Sequence, residues 1–171
     1  MKKTELQIQL YGSRILRKKC SHVKEITDDV RTLLDAMIKL MRETNGIGLA
    51  ANQAGIDAAL IVIELDKKVY KMVNPRIVTS RGKVIFEEGC LSFPGLELEI
   101  SRAENVTVRY NDETGGECEL QAEELLAIAL QHEVDHINGK TFVDRISISR
   151  RAKIAKQLDA IKKQAKELGQ C

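Results

Sequence analysis

Residues 123–139 read EELLAIALQHEVDHING. From Leu125 to Leu130 the stretch is apolar on nearly every face, so a helix here runs through a protein interior rather than over it. The expected helix spans Glu123 to Asn138, with Gly139 closing it. Its second half is abruptly polar: Gln131, His132, Glu133, Asp135 and His136 follow the apolar turns directly. Histidines at i and i+4 stack on one helical face, so both imidazoles reach a single cation. Two imidazoles and two carboxylates at the end of a core helix cost several kcal/mol unless they are paired or metal-bound. The chain has three histidines and this motif uses two of them, so the segment is read as a buried metal-binding helix.

A catalytic metal site usually has three protein ligands and one open position. Glu133 follows His132 by one residue, about 100° around the helix, so it points beside the ion rather than at it. That placement suits a general base. His22 sits in a polar N-terminal stretch and reads as a surface residue. Cys90 lies in EEGCLSFPG (residues 87–95), an irregular loop whose glycines and proline let backbone approach another group closely. Read alone, a lone cysteine is more often a small buried apolar residue than a ligand. A third segment, GIGLAANQ (residues 46–53), has two glycines and two alanines where a helix ends, which leaves room for something narrow.

Outward from these segments, Thr27 to Asn45 is expected to be an amphipathic helix. Val30, Leu33, Leu34, Met37, Ile38 and Met41 recur at helical spacing, Thr27 or Asp28 caps the start, and Asn45-Gly46 supplies the stop. Strands are expected over residues 58–65, 69–73, 77–79, 83–86, 106–110 and 117–121, joined by short turns that favour antiparallel pairing. A last helix over Ser149 to Leu168 carries one stripe of Ile154, Leu158, Ile161, Ala165 and Leu168 among many lysines and arginines. The expected class is α+β: antiparallel strands packed around a buried central helix, with an N-terminal amphipathic helix and a C-terminal helix over residues 148–171.

The chain has 171 residues, enough for one domain over residues 1–171, and shows no repeat or linker. With 43% apolar and 30% charged residues it has a globular rather than a disordered composition. A net charge of +2 points neither to specific DNA binding nor to a membrane surface, and no apolar run is long enough to span a bilayer. The N-terminus has two lysines with no apolar core behind them, unlike a secretory signal, so a cytoplasmic location is expected. Cys20, Cys118 and Cys171 are read as free thiols in a reducing compartment.

Taken together and in this order, GIGLAANQ, EGCLS and QHEVDH resemble the three sequence motifs of the peptide deformylase family, and the similarity extends to the YGSRILR opening and the long final helix. The resemblance implies that Cys90, His132 and His136 hold the metal with a fourth position left for water. It makes Glu133 the general acid/base, and the Gln53 side-chain amide and Leu91 backbone N–H the groups that meet the developing oxyanion. Ile47, Phe86, Leu125, Ile128 and Ala129 are similar to residues lining a methionine pocket, and Gly48 to one whose backbone bonds the substrate. The implied reaction is hydrolysis of the formyl group from N-formylmethionyl nascent peptides. The implied ion is Fe2+; the ligand set itself also accepts Zn2+, Ni2+ or Co2+. The basic terminal helix is expected either to dock on the ribosome, as the resemblance suggests, or to be a solvated face.

Glu124 stands where many relatives have glycine, and Glu97 where bacterial relatives often carry a basic residue that meets the substrate backbone. Arg102 is expected to pair with Glu88, and Asp135 either to orient an imidazole or to be a solvated carboxylate. Two other functions stay open: a zinc peptidase acting on internal amides, and a non-catalytic metal-stabilised module, which would normally need a fourth protein ligand.

Overall fold

The structure is a computed structural model and describes residues 6–171; the N-terminal residues on which the absence of a secretory signal was read fall outside them. Helix α1 covers Asp28–Glu43, where the Thr27 side chain accepts from the Val30 N–H and Asp28 and Asp29 lie in the positively polarised first turn. It ends at Asn45, whose φ of +57° is left-handed. The Gly46 N–H donates to the Met41 carbonyl (2.9 Å) and the Asn45 N–H to that of Arg42 (3.1 Å), closing the helix as the Asn-Gly pair suggests.

A five-stranded antiparallel sheet holds β1 (Gly48–Ala50), β2 (Leu60–Leu65), β3 (Lys68–Arg81), β6 (Asn105–Asn111) and β7 (Glu117–Glu123) in the order β1-β2-β3-β6-β7. A separate hairpin pairs β4 (Val84–Gly89) with β5 (Glu97–Arg102). Helix α2 (Glu124–Ile137) packs on one face of the sheet and α1 on the other. Side chains alternate along a strand, so Leu60 and Val62 meet α1 while Ile61 and Ile63 meet Ala127, Leu130 and Val134 of α2. This two-sided burial explains why residues 60–63 of β2 are continuously apolar. From Ala127 to Ile137 every residue of α2 is buried, so the expected central helix is present. A third apolar cluster joins Leu10 and Tyr11, Phe93 and Leu96, Leu98 and Ile100 of β5, and Phe142 and Val143 to the C-terminal helix.

Four local readings change. The segments 69–73 and 77–79 belong to one long strand, because a bulge between Val73 and Arg76, with Asn74 at φ +53°, admits Pro75 without a ladder donor. Strand β5 was not expected: its inward positions are Leu98, Ile100 and Arg102, and the arginine hides the apolar alternation. Gly48–Ala50 is a short strand followed by a 3₁₀ turn over Ala51–Ala54, not only a tight loop. The single terminal helix is two, α3 (Ile148–Lys153) and α4 (Ala155–Glu167). The axis breaks at Ile154, whose N–H bonds the Arg151 carbonyl in a tighter turn, because α3 buries nothing whereas α4 seats Leu158, Ile161 and Ala165 on the third cluster. Leu168 is half exposed and leaves the stripe.

Glu124 opens α2 with φ +53°, a backbone region in which a side chain is strained and glycine is not. Glu124→Gly should relieve about 1 kcal/mol of that strain and raise Tm by about 2–4 °C for a chain of this size. Scanning calorimetry reads the shift, and a lower Tm would mean that the Glu124 side chain contributes more than its backbone costs.

Candidate metal centre

Helix α2 presents His132 and His136 from adjacent turns, with their Nε2 atoms 3.2 Å apart. Cys90 comes from the loop that leaves β4, and its Sγ lies 3.3 Å from His136 Nε2. Among the described residues these three form a group whose donor atoms all lie within 4.8 Å of one another. Ligands at about 2.0–2.1 Å (nitrogen) and about 2.3 Å (sulfur) around a tetrahedral ion would be roughly 3.3–3.6 Å apart, so the arrangement fits a metal with little movement. Each imidazole offers one nitrogen to the cluster.

Glu133 is buried beside them. Its Oε2 atom has no hydrogen-bond partner among the described residues, and burial, opposed less strongly by His132 and Arg102, pushes its carboxyl up to about 7. The room for that carboxylate comes from the first motif: a Cβ on Gly48 would sit 2.5 Å from Glu133 Oε1. A side chain there would displace the carboxylate, so the sequence requires glycine for a reason of space. Gln53 is fixed by its own turn. Its Oε1 accepts from the Ala50 N–H (2.9 Å), which directs Nε2 towards Cys90 Sγ (3.4 Å) and Ser92 Oγ (3.3 Å). None of the described residues accepts a hydrogen bond from the Leu91 N–H.

Behind the ligands runs a ladder of alternating charge. Glu88 Oε2 is 2.8 Å from His132 Nδ1, and Arg102, with no exposed side-chain surface, grips Glu88 through Nε (2.7 Å) and a terminal nitrogen (2.9 Å). The expected Arg102–Glu88 pair is therefore present, in the bidentate form that a guanidinium and a carboxylate favour. The other Arg102 terminal nitrogen donates to Asp135 Oδ2 (2.6 Å), and Arg145 also clasps Asp135. Asp135 is neither an imidazole partner nor a solvated carboxylate: it is buried, two guanidinium groups occupy it, and Glu88 orients His132 instead. Burial alone would raise the Glu88 carboxyl, but Arg102 and His132 outweigh it and hold it down at about 2.

The two imidazoles are driven in opposite directions. Burial pushes His136 well below its ordinary range and leaves it neutral. Burial opposes a proton on His132 too, yet Cys90 and Glu88 outweigh it and draw positive charge to that ring. A metal ion at the cluster answers the same local field, since proton and metal compete for one set of donors.

A cleft of about 460 Å³ opens over this cluster. Ile47, Gly48, Phe86, Leu125, Ile128 and Ala129 line it, and so do Gln53, Cys90, Leu91, His132 and Glu133. Of the twelve residues singled out from sequence, all but the fully buried His136 face the cleft. Glu97 is exposed and pairs across the hairpin with Gly89, next to the Cys90 loop. His22 lies at the surface beside Asn74, away from the cluster. Sequence reasoning missed three supports: the Glu88 contact with His132, the bond from the Asn52 amide to the His136 carbonyl (2.5 Å), and Arg145 on Asp135. Glu88 was findable, because strand alternation points it to the opposite face from the exposed Glu87.

A thiol from a loop and two stacked imidazoles on a core helix, with a buried carboxylate between them, define a metallohydrolase of the His-Glu-x-x-His type. Comparison with known proteins is specific. The polypeptide deformylase family model matches residues 5–152. A peptide deformylase from Hydrogenovibrio crunogenus is 39% identical over 97% of this chain and 96% of its own length. Among solved structures, a Legionella pneumophila peptide deformylase superposes with a TM-score of 0.87 at 41% identity, covering 93% of this chain and 96% of the other. A plant peptide deformylase reaches a TM-score of 0.92 at 35% identity over 98% and 94% of the two chains. The chain belongs to the peptide deformylase family.

Arg102→Met removes the cation between two buried carboxylates. Glu88 then keeps only His132 and Asp135 only Arg145, and the fold should lose about 3 kcal/mol, measured as a lower urea midpoint. A loss under about 1 kcal/mol, the range of exposed pairs, would show that water reaches the ladder.

Proposed function

We propose that this chain is a metal-dependent hydrolase that removes the formyl group from the N-terminal formyl-methionine of nascent polypeptides and releases formate. The observation that carries this reading is the convergence of the Cys90, His132 and His136 donor atoms beside the unpartnered Glu133 Oε2, at a cleft of about 460 Å³. Membership of the family supplies the reaction class.

Cys90, His132 and His136 would hold one divalent ion, Fe2+ by family resemblance, with Zn2+, Ni2+ or Co2+ as substitutes. When bound, such an ion acidifies a water towards neutrality and polarises a carbonyl oxygen. Glu133 takes the proton from the attacking water and returns it to the departing amine; a carboxyl pushed up to about 7 is suited to both transfers near neutral pH. The Gln53 Nε2 and the Leu91 N–H meet the charge that develops on the formyl oxygen, each held in place before the reaction begins. Ile47, Phe86, Leu125, Ile128 and Ala129 enclose the methionine side chain with apolar surface, and the Gly48 backbone, at the short β1 strand, bonds the peptide.

Two finer readings stand with this one. The exposed basic residues of α3 and α4 suit docking on the ribosome, where nascent chains emerge, by attraction to phosphates. A cytoplasmic location follows from that substrate, and no helix among the described residues is long and apolar enough to cross a membrane.

Anaerobically purified protein should release formate from formyl-Met-Ala-Ser and leave acetyl-Met-Ala-Ser intact, since the extra methyl would crowd the site. Glu133→Ala should keep its metal and lose about 10²–10⁴-fold in kcat, the usual size of a general acid/base contribution. Rapid deacetylation, or a variant that turns over normally, would refute the assignment.

A further inference from the structure

The N-terminal strap, residues 8–11, is hydrogen-bonded on both edges. On one edge the Gln9 N–H donates to the Gln53 carbonyl (2.7 Å) and the Tyr11 N–H to the Ser92 carbonyl (2.9 Å). Gln53 and Ser92 are joined to each other through Gln53 Nε2 and Ser92 Oγ (3.3 Å), and the same Nε2 reaches Cys90 Sγ. The strap thus closes a ring that ties the first-motif turn to the loop carrying the thiol. On the other edge one side chain makes both bonds: Gln170 accepts from the Leu10 N–H through Oε1 (2.7 Å) and donates through Nε2 to the Ile8 carbonyl (2.9 Å). An extended chain alternates its N–H groups between its two edges, so the Gln170 amide acts as a one-residue substitute for a neighbouring strand.

Gln170 is brought there by the end of α4. Gly169 turns with φ +70°, and the Gln170 N–H bonds the Ala165 carbonyl (3.0 Å), which fixes the side chain against the strap. Tyr11 is held from the same helices: the Arg151 guanidinium donates to its hydroxyl (3.3 Å), and the Lys162 ammonium lies 5.3 Å from its ring centre. Its ring packs on Phe93, in the Cys90 loop, at 4.9 Å. Residues 153–171 lie beyond the part of the chain that the family model matches, yet Gln170 and Lys162 hold the strap that bonds the segments carrying Gln53 and Cys90.

We infer that Gln170 is a positioning residue: by clamping the outer edge of the strap, it holds the Gln53 amide and the Cys90 loop in register for the reaction. The clamp touches neither the metal donors nor the cleft lining, so its effect falls on the geometry of Gln53 and not on the methionine pocket. This rests on the deformylase reading for its kinetic consequence, but not for its structural one.

Gln170→Met keeps the length of the side chain and removes both hydrogen bonds. Amide hydrogen exchange in the zinc-loaded protein is the first readout. Leu10 should exchange faster, and so should Gln9 and Tyr11, whose own partners are unchanged, by about 5–10-fold, as for the loss of about one hydrogen bond. Formate release should fall about fivefold in kcat with KM little altered, since a small misplacement of a transition-state donor affects turnover rather than binding. Glu167→Gln, on the exposed face of α4, should change neither. Faster exchange confined to Leu10, or an unchanged kcat, would overturn the inference. A wild-type protein that released no formate would count against the deformylase reading alone, and the Gln9 and Tyr11 exchange rates would still decide whether the clamp transmits.

Discussion

The controlling constraint is the burial of charge on α2. A helix that begins as an apolar core element ends with two imidazoles and two carboxylates inside the same core, and isolated charges there are expensive. The surrounding structure answers two of these four groups. Asp135 receives Arg102 and Arg145, His132 receives Glu88, and Glu88 in turn receives Arg102. Glu133 Oε2 has no partner among the described residues, and neither do His136 Nδ1 and Asn52 Oδ1, while the Cys90, His132 and His136 donor atoms face one another.

The rest of the fold supplies those answers from a distance in sequence. The β4–β5 hairpin carries three of them on its inward positions and exit, since Glu88, Cys90 and Arg102 come from its two strands and their loop. Pairing Glu88 with Leu98 and Val84 with Arg102 in register fixes both ends of the ion pair within one hairpin. The first motif contributes space and one amide. Gly48 leaves room for Glu133, while the turn after it fixes Gln53. An active site assembled from three segments thus relies on a hairpin register, a glycine and a helix period, each a backbone property. Arg102 and Glu88 are worth more as positioning groups than as stability, since a buried ion pair seldom outperforms apolar packing.

Much of this was legible in the chain. The i, i+4 histidines, the apolar half-helix and the Asn-Gly stop depend on local spacing, and local spacing survives folding. The place of Cys90 beside the two histidines was not deducible from its own surroundings; three motifs in register with a family were needed to single it out. Three features were hidden for physical reasons. Strand β5 carries an arginine at an inward position, so its alternation looks polar until Glu88 and Asp135 are placed opposite it. The long β3 contains Asn74-Pro75, which reads as a stop because a bulge cannot be seen in composition. The partners of Asp135 lie in other elements, and a sequence read along one helix face cannot supply them.

The proposed reaction needs one thiol and two imidazoles to share an ion, and X-ray absorption at the metal edge of cobalt- or zinc-loaded protein tests that directly. One sulfur at about 2.3 Å and two imidazole nitrogens at about 2.0–2.1 Å are predicted. A first shell of nitrogen and oxygen alone, unchanged in Cys90→Ser, would contradict it.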